Sequence, residues 1–265
     1  MKPFVRWVGG KRQLLPILMN NVPKEFNTYY EPFVGAGALL FELRPSVAVI
    51  NDVNKELINT YRIIKEQHDE LVKLVHAFDL IYCTKWYYIV REIYQKKATN
   101  YDDESAAFFL WLMKRCFNGL YRVNKAGKFN AAFSKNLSIT SSVDYDNLKE
   151  ISEYLQSVEI LNSDFMAIKD MIQPKDFVFL DPPYDGDKSF VSYTSAGFGK
   201  NDTERLKEFF DYATNIGCYV MMTNHPTDYI KNLFSDYSQE VVSVKRSINS
   251  NGSKRTGSEI IIKNF

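Results

Sequence analysis

Asp181-Pro182-Pro183-Tyr184 sets side by side the groups needed to present a weakly nucleophilic amine. An exocyclic amino group on a nucleobase reacts poorly because its lone pair is delocalised into the ring. The Asp181 carboxylate and the Pro182 carbonyl can each accept one N–H of such an amine, favouring a pyramidal nitrogen with its lone pair turned toward an electrophile. Acceptors fixed beforehand need little reorganisation as charge develops, and two consecutive prolines, with φ locked, hold that carbonyl rigidly. Tyr184 adds a ring on which a base can stack, a contact worth about 1–3 kcal/mol in single-stranded binding. The bland reading of the same four residues is a Pro-Pro turn that closes a strand beside an incidental Asp.

Two further motifs bear on a ligand. Glu31-Pro32-Phe33-Val34-Gly35-Ala36-Gly37 lies between a strand pattern and a helix pattern, where glycines let the chain turn tightly and a ligand lie against the backbone. Asp52 closes the next strand pattern, at the place where an acidic side chain accepts hydrogen bonds from ribose hydroxyls. Together they point to an adenosine-type cofactor without saying which; the plainer alternative is a packing turn and a surface Asp. Trp7-Val8-Gly9-Gly10-Lys11 could bring backbone N–H groups and a lysine to an anion. It is not a Walker A loop, because the G-x-x-x-x-G-K-[ST] spacing fails and Lys11 is followed by Arg12.

Strands are expected at 28–33, 47–51, 158–161, 176–181, 218–223, 239–245 and 259–263, with helical patterns between them, such as Lys11–Met19, Ala38–Leu43, Glu56–Ile64 and Thr203–Asn215. The runs Val47–Ile50 and Phe177–Leu180, each followed by polar residues and then a helix, have the form of buried parallel strands. This implies an α/β fold with a doubly wound sheet, and it puts Asp181 at the carboxyl end of a strand, where open α/β sheets bind ligands. Between residues 66 and 145 the strand signal vanishes. Leu71–Phe78, Trp86–Tyr94 and Ala106–Phe117 read as helices, and Gly119–Phe133, with a turn at Lys125-Ala126-Gly127, as a β-hairpin. The expected organisation is a catalytic part of residues 1–65 and 146–265, interrupted by a mostly helical insertion at 66–145. The apolar stripes Phe108-Phe109-Trp111-Leu112 and Tyr87-Tyr88-Tyr94 are assigned to the core of that insertion.

The 265 residues, 45% apolar and 25% charged, exclude a disordered chain. The longest uncharged apolar run, Ala106–Met113, is eight residues, against roughly 20 for a bilayer-spanning helix. A cytoplasmic protein is expected. Three separated cysteines and three histidines offer no metal-site spacing. The net charge of +1 hides an asymmetry: residues 1–24, 105–143 and 241–258 hold five, six and four basic residues and no acid. Three such segments favour a polyanionic partner over ordinary solvated loops.

The blocks R-W-V-G-G-K, E-P-F-V-G-A-G-A, I-N-D-V-N, F-N-G-L-Y-R-V-N, S-D-F, D-P-P-Y, T-N-H and R-S-I-N-S-N-G, in that order from residue 3 to about 262, closely resemble those of the Dam-type DNA adenine-N6 methyltransferases of the alpha group. The resemblance implies a Rossmann-like S-adenosylmethionine-dependent methyltransferase fold with an inserted helical DNA-recognition domain. It further implies methyl transfer to N6 of a flipped-out adenine in double-stranded DNA, usually at GATC, without metal or membrane. A monomer near the nucleoid, bacterial or phage-encoded, is expected.

By position, Trp7, Lys11, Asp52 and Asp181 match the family's main cofactor contacts, with Phe33, Gly35, Ala36, Gly37, Asp164 and Phe165 lining the same pocket. Lys11 would meet the methionine carboxylate, Asp52 the ribose and Phe165 the cofactor's adenine. Phe117 matches the intercalating aromatic, Asn118 the residue near the orphaned base, and Leu120 and Arg122 the readers of the recognition sequence. Arg6 would lie near the first guanine, and Lys114, Arg115 and Lys125 on phosphates. Arg91, Asn130, Arg246, Asn249 and Asn251 complete the candidate DNA contacts. The chain departs from many relatives at Ala132 and Asn136, where a Pro and a Tyr help read the outer base pair, which implies looser recognition there. Cytosine N4, an RNA adenine, or a catalytically silent DNA-binding role on this scaffold are the alternatives; intact Asp181–Tyr184, Lys11 and Asp52 argue against the last.

Overall fold

The computed structural model describes residues 1–80, 84–124, 126–134, 141–185, 198–245 and 256–265. Seven strands lie where the apolar runs do: β1 (Tyr29–Glu31), β2 (Ala48–Asn51), β3 (Val158–Leu161), β4 (Phe177–Leu180), β5 (Tyr219–Asn224), β6 (Ser238–Lys245) and β7 (Thr256–Lys263). They form one sheet in the order β3-β2-β1-β4-β5-β7-β6. The first five strands pair in parallel and β7 runs antiparallel to both β5 and β6.

Strand side chains alternate between faces, so each buried strand feeds two cores. On β4, Phe177 and Phe179 enter a cluster with Leu18 of α1 (Leu15–Asn21), Leu39 of α2 (Ala38–Leu43) and Leu57 of α3 (Lys55–Glu66). Val178 and Leu180 point the other way, toward Leu206 and Phe209 of a long helix, Lys200–Asn215, and Ile230 of a short one, Asp228–Leu233. The sheet therefore has helices on both faces, as the uninterrupted apolar runs require. The helix expected from Lys11 begins instead at Leu15, after a 3-10 turn over Lys11–Gln13. Pro16 accounts for the difference, since a residue without an N–H fits only the first turn.

The helical segment comprises α4 (His68–Asp79), α5 (Thr84–Lys97) and α6 (Asp103–Arg115), followed by α7 (Tyr145–Leu155), which returns the chain to the sheet. Asp102 caps α6, accepting from the Ser105 N–H at 2.8 Å. Tyr87, Tyr94, Phe108, Phe109, Trp111 and Leu112 are all buried, in the same apolar cluster as α3 and one face of the sheet. Tyr88, grouped with them in the sequence, is instead 43% exposed beneath the Arg91 guanidinium, 4.9 Å away.

Arg115 departs from expectation. It is 1% exposed and pairs with Asp79, itself 7% exposed, at 2.9 Å. Its guanidinium also donates to the Ser142 hydroxyl and lies 4.4 Å from the Trp111 ring. Asp79 accepts in addition from the Ser142 N–H at 2.8 Å. An arginine so enclosed ties the ends of α4 and α6 to the approach to α7 and cannot reach a DNA phosphate.

The expected hairpin forms with two isolated antiparallel bridges, Cys116 with Phe133 and Val123 with Phe129, in place of a continuous ladder among the described residues. The Asn124 N–H donates to Lys128 O at 2.9 Å and the Asn130 N–H to Arg122 O at 2.8 Å. Side chains of α5 hold it down: Tyr87 Oη donates to Ala131 O at 3.0 Å, Arg91 to the same oxygen at 3.0 Å, and Gln95 to Phe129 O at 2.6 Å. Among the described residues no helix is long and apolar enough to cross a membrane, and no group of three His, Cys, Asp or Glu could hold a metal ion.

Candidate active site

The strand order reverses at β1, which lies between β2 and β4, and such a switch point opens a crevice at the carboxyl ends of the strands. The chain after β1 carries Phe33–Gly37 and the chain after β4 carries Asp181–Tyr184, so the topology brings two distant motifs to one edge.

Asp181 is clamped on one oxygen. Lys11 Nζ lies 2.8 Å from Oδ1 and Thr223 Oγ1 donates to the same atom at 2.7 Å. No described residue hydrogen-bonds Oδ2. Lys11 is 5% exposed, donates also to Gly9 O at 2.5 Å and sits 4.7 Å from the Tyr184 ring centroid. Its ion pair with Asp181 was not legible as such from the two motifs. Tyr184 donates its hydroxyl to Glu259 on β7 at 2.6 Å and meets the His225 ring edge-on at 4.8 Å. Burial, with Asp181 and Glu259 close by, holds that phenol well above its usual pKa. The next residue is latched as well: Asp185 N–H donates to Asn224 Oδ1 at 3.0 Å, and Thr227 Oγ1 to Asp185 Oδ2 at 2.7 Å.

The glycine turn is built on the neighbouring strand. Gly35 N–H donates to Asp52 Oδ2 at 3.0 Å and Asn54 N–H to Oδ1 at 2.9 Å, so each carboxylate oxygen keeps acceptor capacity for a hydroxyl. Burial pushes Asp52 up to about 6 against these backbone donors. Gly35 has φ +48°, and a Cβ there would lie 2.9 Å from Trp7 Cδ1. Gly37 has φ +68°, and a Cβ there would meet Tyr61 Oη at 2.7 Å. What crowds these glycines is the protein's own aromatic wall, while Ala36 between them is buried.

Phe33 and Phe165 face each other at 5.2 Å, with Phe198 at 6.1 and 6.3 Å from them. Arg205 lies 5.0 Å from the Phe165 ring and pairs with Asp164 Oδ1 at 2.7 Å, an oxygen that also accepts from Met166 N–H. Asn162 Nδ2 donates to Asp52 O at 2.7 Å. Contacts thus join Asp181 to Lys11, Trp7 through Gly35 to Asp52 and Asn162, and Asp164 through Arg205 to Phe165 and Phe33.

On the DNA-facing candidates, Phe117 is 59% exposed on a 3-10 turn, Phe117–Gly119, pinned by its own N–H to Ala132 O at 2.7 Å. Asn118 beside it is exposed with φ +57°. Leu120 is half-buried, and Arg6, Lys114 and Arg122 are exposed. Arg6 lies against the turn: a Cβ on Gly119 would fall 2.9 Å from Arg6 Cδ. Trp7 stacks on Tyr121 at 5.2 Å, joining the N-terminal segment to the hairpin. Arg91 is a hairpin anchor, and Asn130 is half-buried in the hairpin. Lys125, Asn136, Arg246, Asn249 and Asn251 lie outside the described residues.

Sequence reasoning gave no role to Thr223, Glu259, Arg205 or Phe198. The T-N-H block marked the neighbourhood of Thr223; the other three touch the site only through tertiary placement.

The sequence profile of the D12 class N6 adenine-specific DNA methyltransferases matches residues 7–248. The type II methyltransferase M1.LlaDCHI of Lactococcus lactis subsp. cremoris is 36% identical over 100% of this chain and 96% of its own length. The type II methyltransferase M.MjaIII of Methanocaldococcus jannaschii is 34% identical over 100% of this chain and 99% of its own. The DNA adenine methylase of Escherichia coli K12 is 28% identical over 96% and 91%.

Proposed function

This chain belongs to the D12 class N6 adenine-specific DNA methyltransferases, and on that premise we propose that its methyl donor is S-adenosylmethionine and its target an adenine turned out of duplex GATC. Family membership sets aside the cytosine-N4, RNA and silent-scaffold alternatives. The observation that carries the finer reading is Asp181 at the switch point, held on Oδ1 by Lys11 and Thr223 with Oδ2 left to accept an amine N–H.

The residues present fit the cofactor. Asp52 keeps lone pairs beside a glycine turn that admits no Cβ, and the half-buried Phe33, backed by Phe165 at 5.2 Å, gives an apolar wall against which a purine can pack. Lys11 is the cation available to a carboxylate. S-adenosylmethionine bound there supplies a methyl group already activated on a sulfonium. Asp181 Oδ2 and the Pro182 carbonyl then hold the two N–H groups of the adenine amine, directing its lone pair outward, while Tyr184 offers its ring to the purine.

An amine inside a duplex is out of reach of this crevice, and methyltransferases extrude such bases at a cost of a few kcal/mol. Phe117 is presented to fill the gap, with Asn118 next to the orphaned partner. We assign target reading to residues 66–145 and chemistry to 1–65 and 146–265. Arg122 is the reader of a guanine, a forked contact worth roughly 1–3 kcal/mol of discrimination.

Asp181→Ala is expected to abolish methylation while duplex binding persists; retained turnover would remove Asp181 from the chemistry. Sequencing DNA from a methylation-free host that expresses the protein is expected to find N6-methyladenine at GATC, and a different motif would overturn that target. Arg122→Ala is expected to relax the motif; an unchanged preference would end its reading role.

A further inference from the structure

We infer that Thr223 is a positioning residue for methyl transfer: its hydroxyl fixes the rotation of the Asp181 carboxylate so that Oδ2 faces the amine. This rests on the reading of Asp181 as an amine acceptor.

The placement follows from the sheet. Leu180 of β4 pairs with Met222 of β5 in parallel register, so Asp181, just past β4, stands beside Thr223, which is still on β5 and paired with Ile261 of β7. Thr223 is fully buried, and a β-branched side chain has few χ1 states to choose from. Its oxygen is therefore held in place, within reach of Asp181 Oδ1 and of the Tyr184 hydroxyl.

The second donor on Oδ1 is of another kind. Lys11 carries three N–H groups on a flexible four-carbon stem, shares them with Gly9 O and approaches from a 3-10 turn. It is also the cation assigned to the cofactor's carboxylate. If Lys11 swings, Thr223 alone continues to hold Oδ1.

A carboxylate's last torsion is broad and nearly two-fold, so nothing within Asp181 itself fixes the plane of its oxygens. That plane is set from outside, and of the two donors on Oδ1 the one on the shorter, β-branched side chain is Thr223. The rest of the segment fastens the neighbouring loop in the same way, with Asn224 on Asp185 N–H and Thr227 on Asp185 Oδ2. The end of β5 and the residues just after it thus act as a template for the chain after β4, and Thr223 is the member that touches the acceptor.

Thr223→Val keeps the shape and removes the hydroxyl, whereas Thr223→Ser keeps the hydroxyl. The measurements are the single-turnover methylation rate on duplex DNA with S-adenosylmethionine, and the affinities for S-adenosylhomocysteine by calorimetry and for the duplex by titration. The expected result is a rate about 10- to 100-fold lower for Thr223→Val, the scale of a small misplacement at a reacting centre, with both affinities within about threefold of wild type, and recovery of most of the rate by Thr223→Ser.

A wild-type rate in Thr223→Val would overturn the inference. So would equal slowing by both variants, or loss of cofactor binding in Thr223→Val, each of which makes Thr223 a packing residue only. Asp181→Ala measured alongside separates the two levels. If it is inactive while Thr223→Val is unimpaired, only the positioning role falls; if it is active, the amine-acceptor reading falls with it.

Discussion

Glu31 ends β1 at 3% exposure, with the Tyr29 hydroxyl donating to Oε2 at 2.9 Å. Burial, with Asp181 nearby, pushes its carboxyl up to about 8 despite that donor and Lys11. The folded protein therefore keeps a proton that the unfolded chain releases above about 4.5, so this group erodes stability as pH rises from about 4.5 to 8, and no further beyond. Glu31→Gln retains an acceptor for Tyr29 and removes the charge. It is expected to match wild type near pH 5 and to exceed it at pH 8 by on the order of 2 kcal/mol in thermal unfolding. An identical offset at both pH values would show that the carboxyl does not titrate in this way. Asp52 shows the same kind of shift with a functional consequence. Because its carboxyl is pushed up to about 6, the acceptor proposed for a ribose hydroxyl weakens below that pH. Affinity for S-adenosylhomocysteine is expected to fall between pH 7.5 and 5, and Asp52→Asn to flatten that dependence at a lower affinity. A slope unchanged in the variant would place the titrating group elsewhere.

At the scale of elements, the Asp79–Arg115–Ser142 network fastens the ends of α4 and α6 to the approach to α7, in the region to which target reading is assigned as a proposal. Removing one partner of a buried pair leaves an uncompensated charge, at about 3–5 kcal/mol. Arg115→Ala is expected to lower stability to urea by that amount, while Lys114→Ala, one residue earlier and exposed, leaves it unchanged; equal stability of the two variants would deny the network its role. The contrast shows which features could be read from sequence. The central strands were legible because unbroken apolar runs such as Phe177–Leu180 bury both faces, and the outer β3 and β6 because short apolar stretches interrupted by polar residues are bounded by turn residues. Asp181 and Asp52 were legible because strand ends fix where a carboxylate stands. Adjacent basic residues carry no mark of which one turns inward; Asp79, 36 positions before Arg115, decides it. Thr223 was hidden for a related reason, since its meeting with Asp181 depends on the register of β4 against β5.

At the scale of the whole molecule, the +1 net charge is divided between surface and interior in a way that composition cannot reveal. Arg6 against Gly119 brings the first and second basic segments together, while Lys11 and Arg115 are withdrawn from solvent. Duplex affinity is expected to fall steeply with salt, and Lys114→Ala to weaken all sequences alike and reduce the salt slope by about one; a sequence-dependent loss would make Lys114 a base reader. Trp7 belongs to both halves of this surface. Its indole meets Gly35 through Cδ1 and stacks on Tyr121 in the hairpin, so the proposed bed of the methyl donor and the proposed reading hairpin share one side chain. Thermodynamic reciprocity then requires that the factor by which a loaded donor alters the grip on DNA equal the factor by which DNA alters retention of the donor.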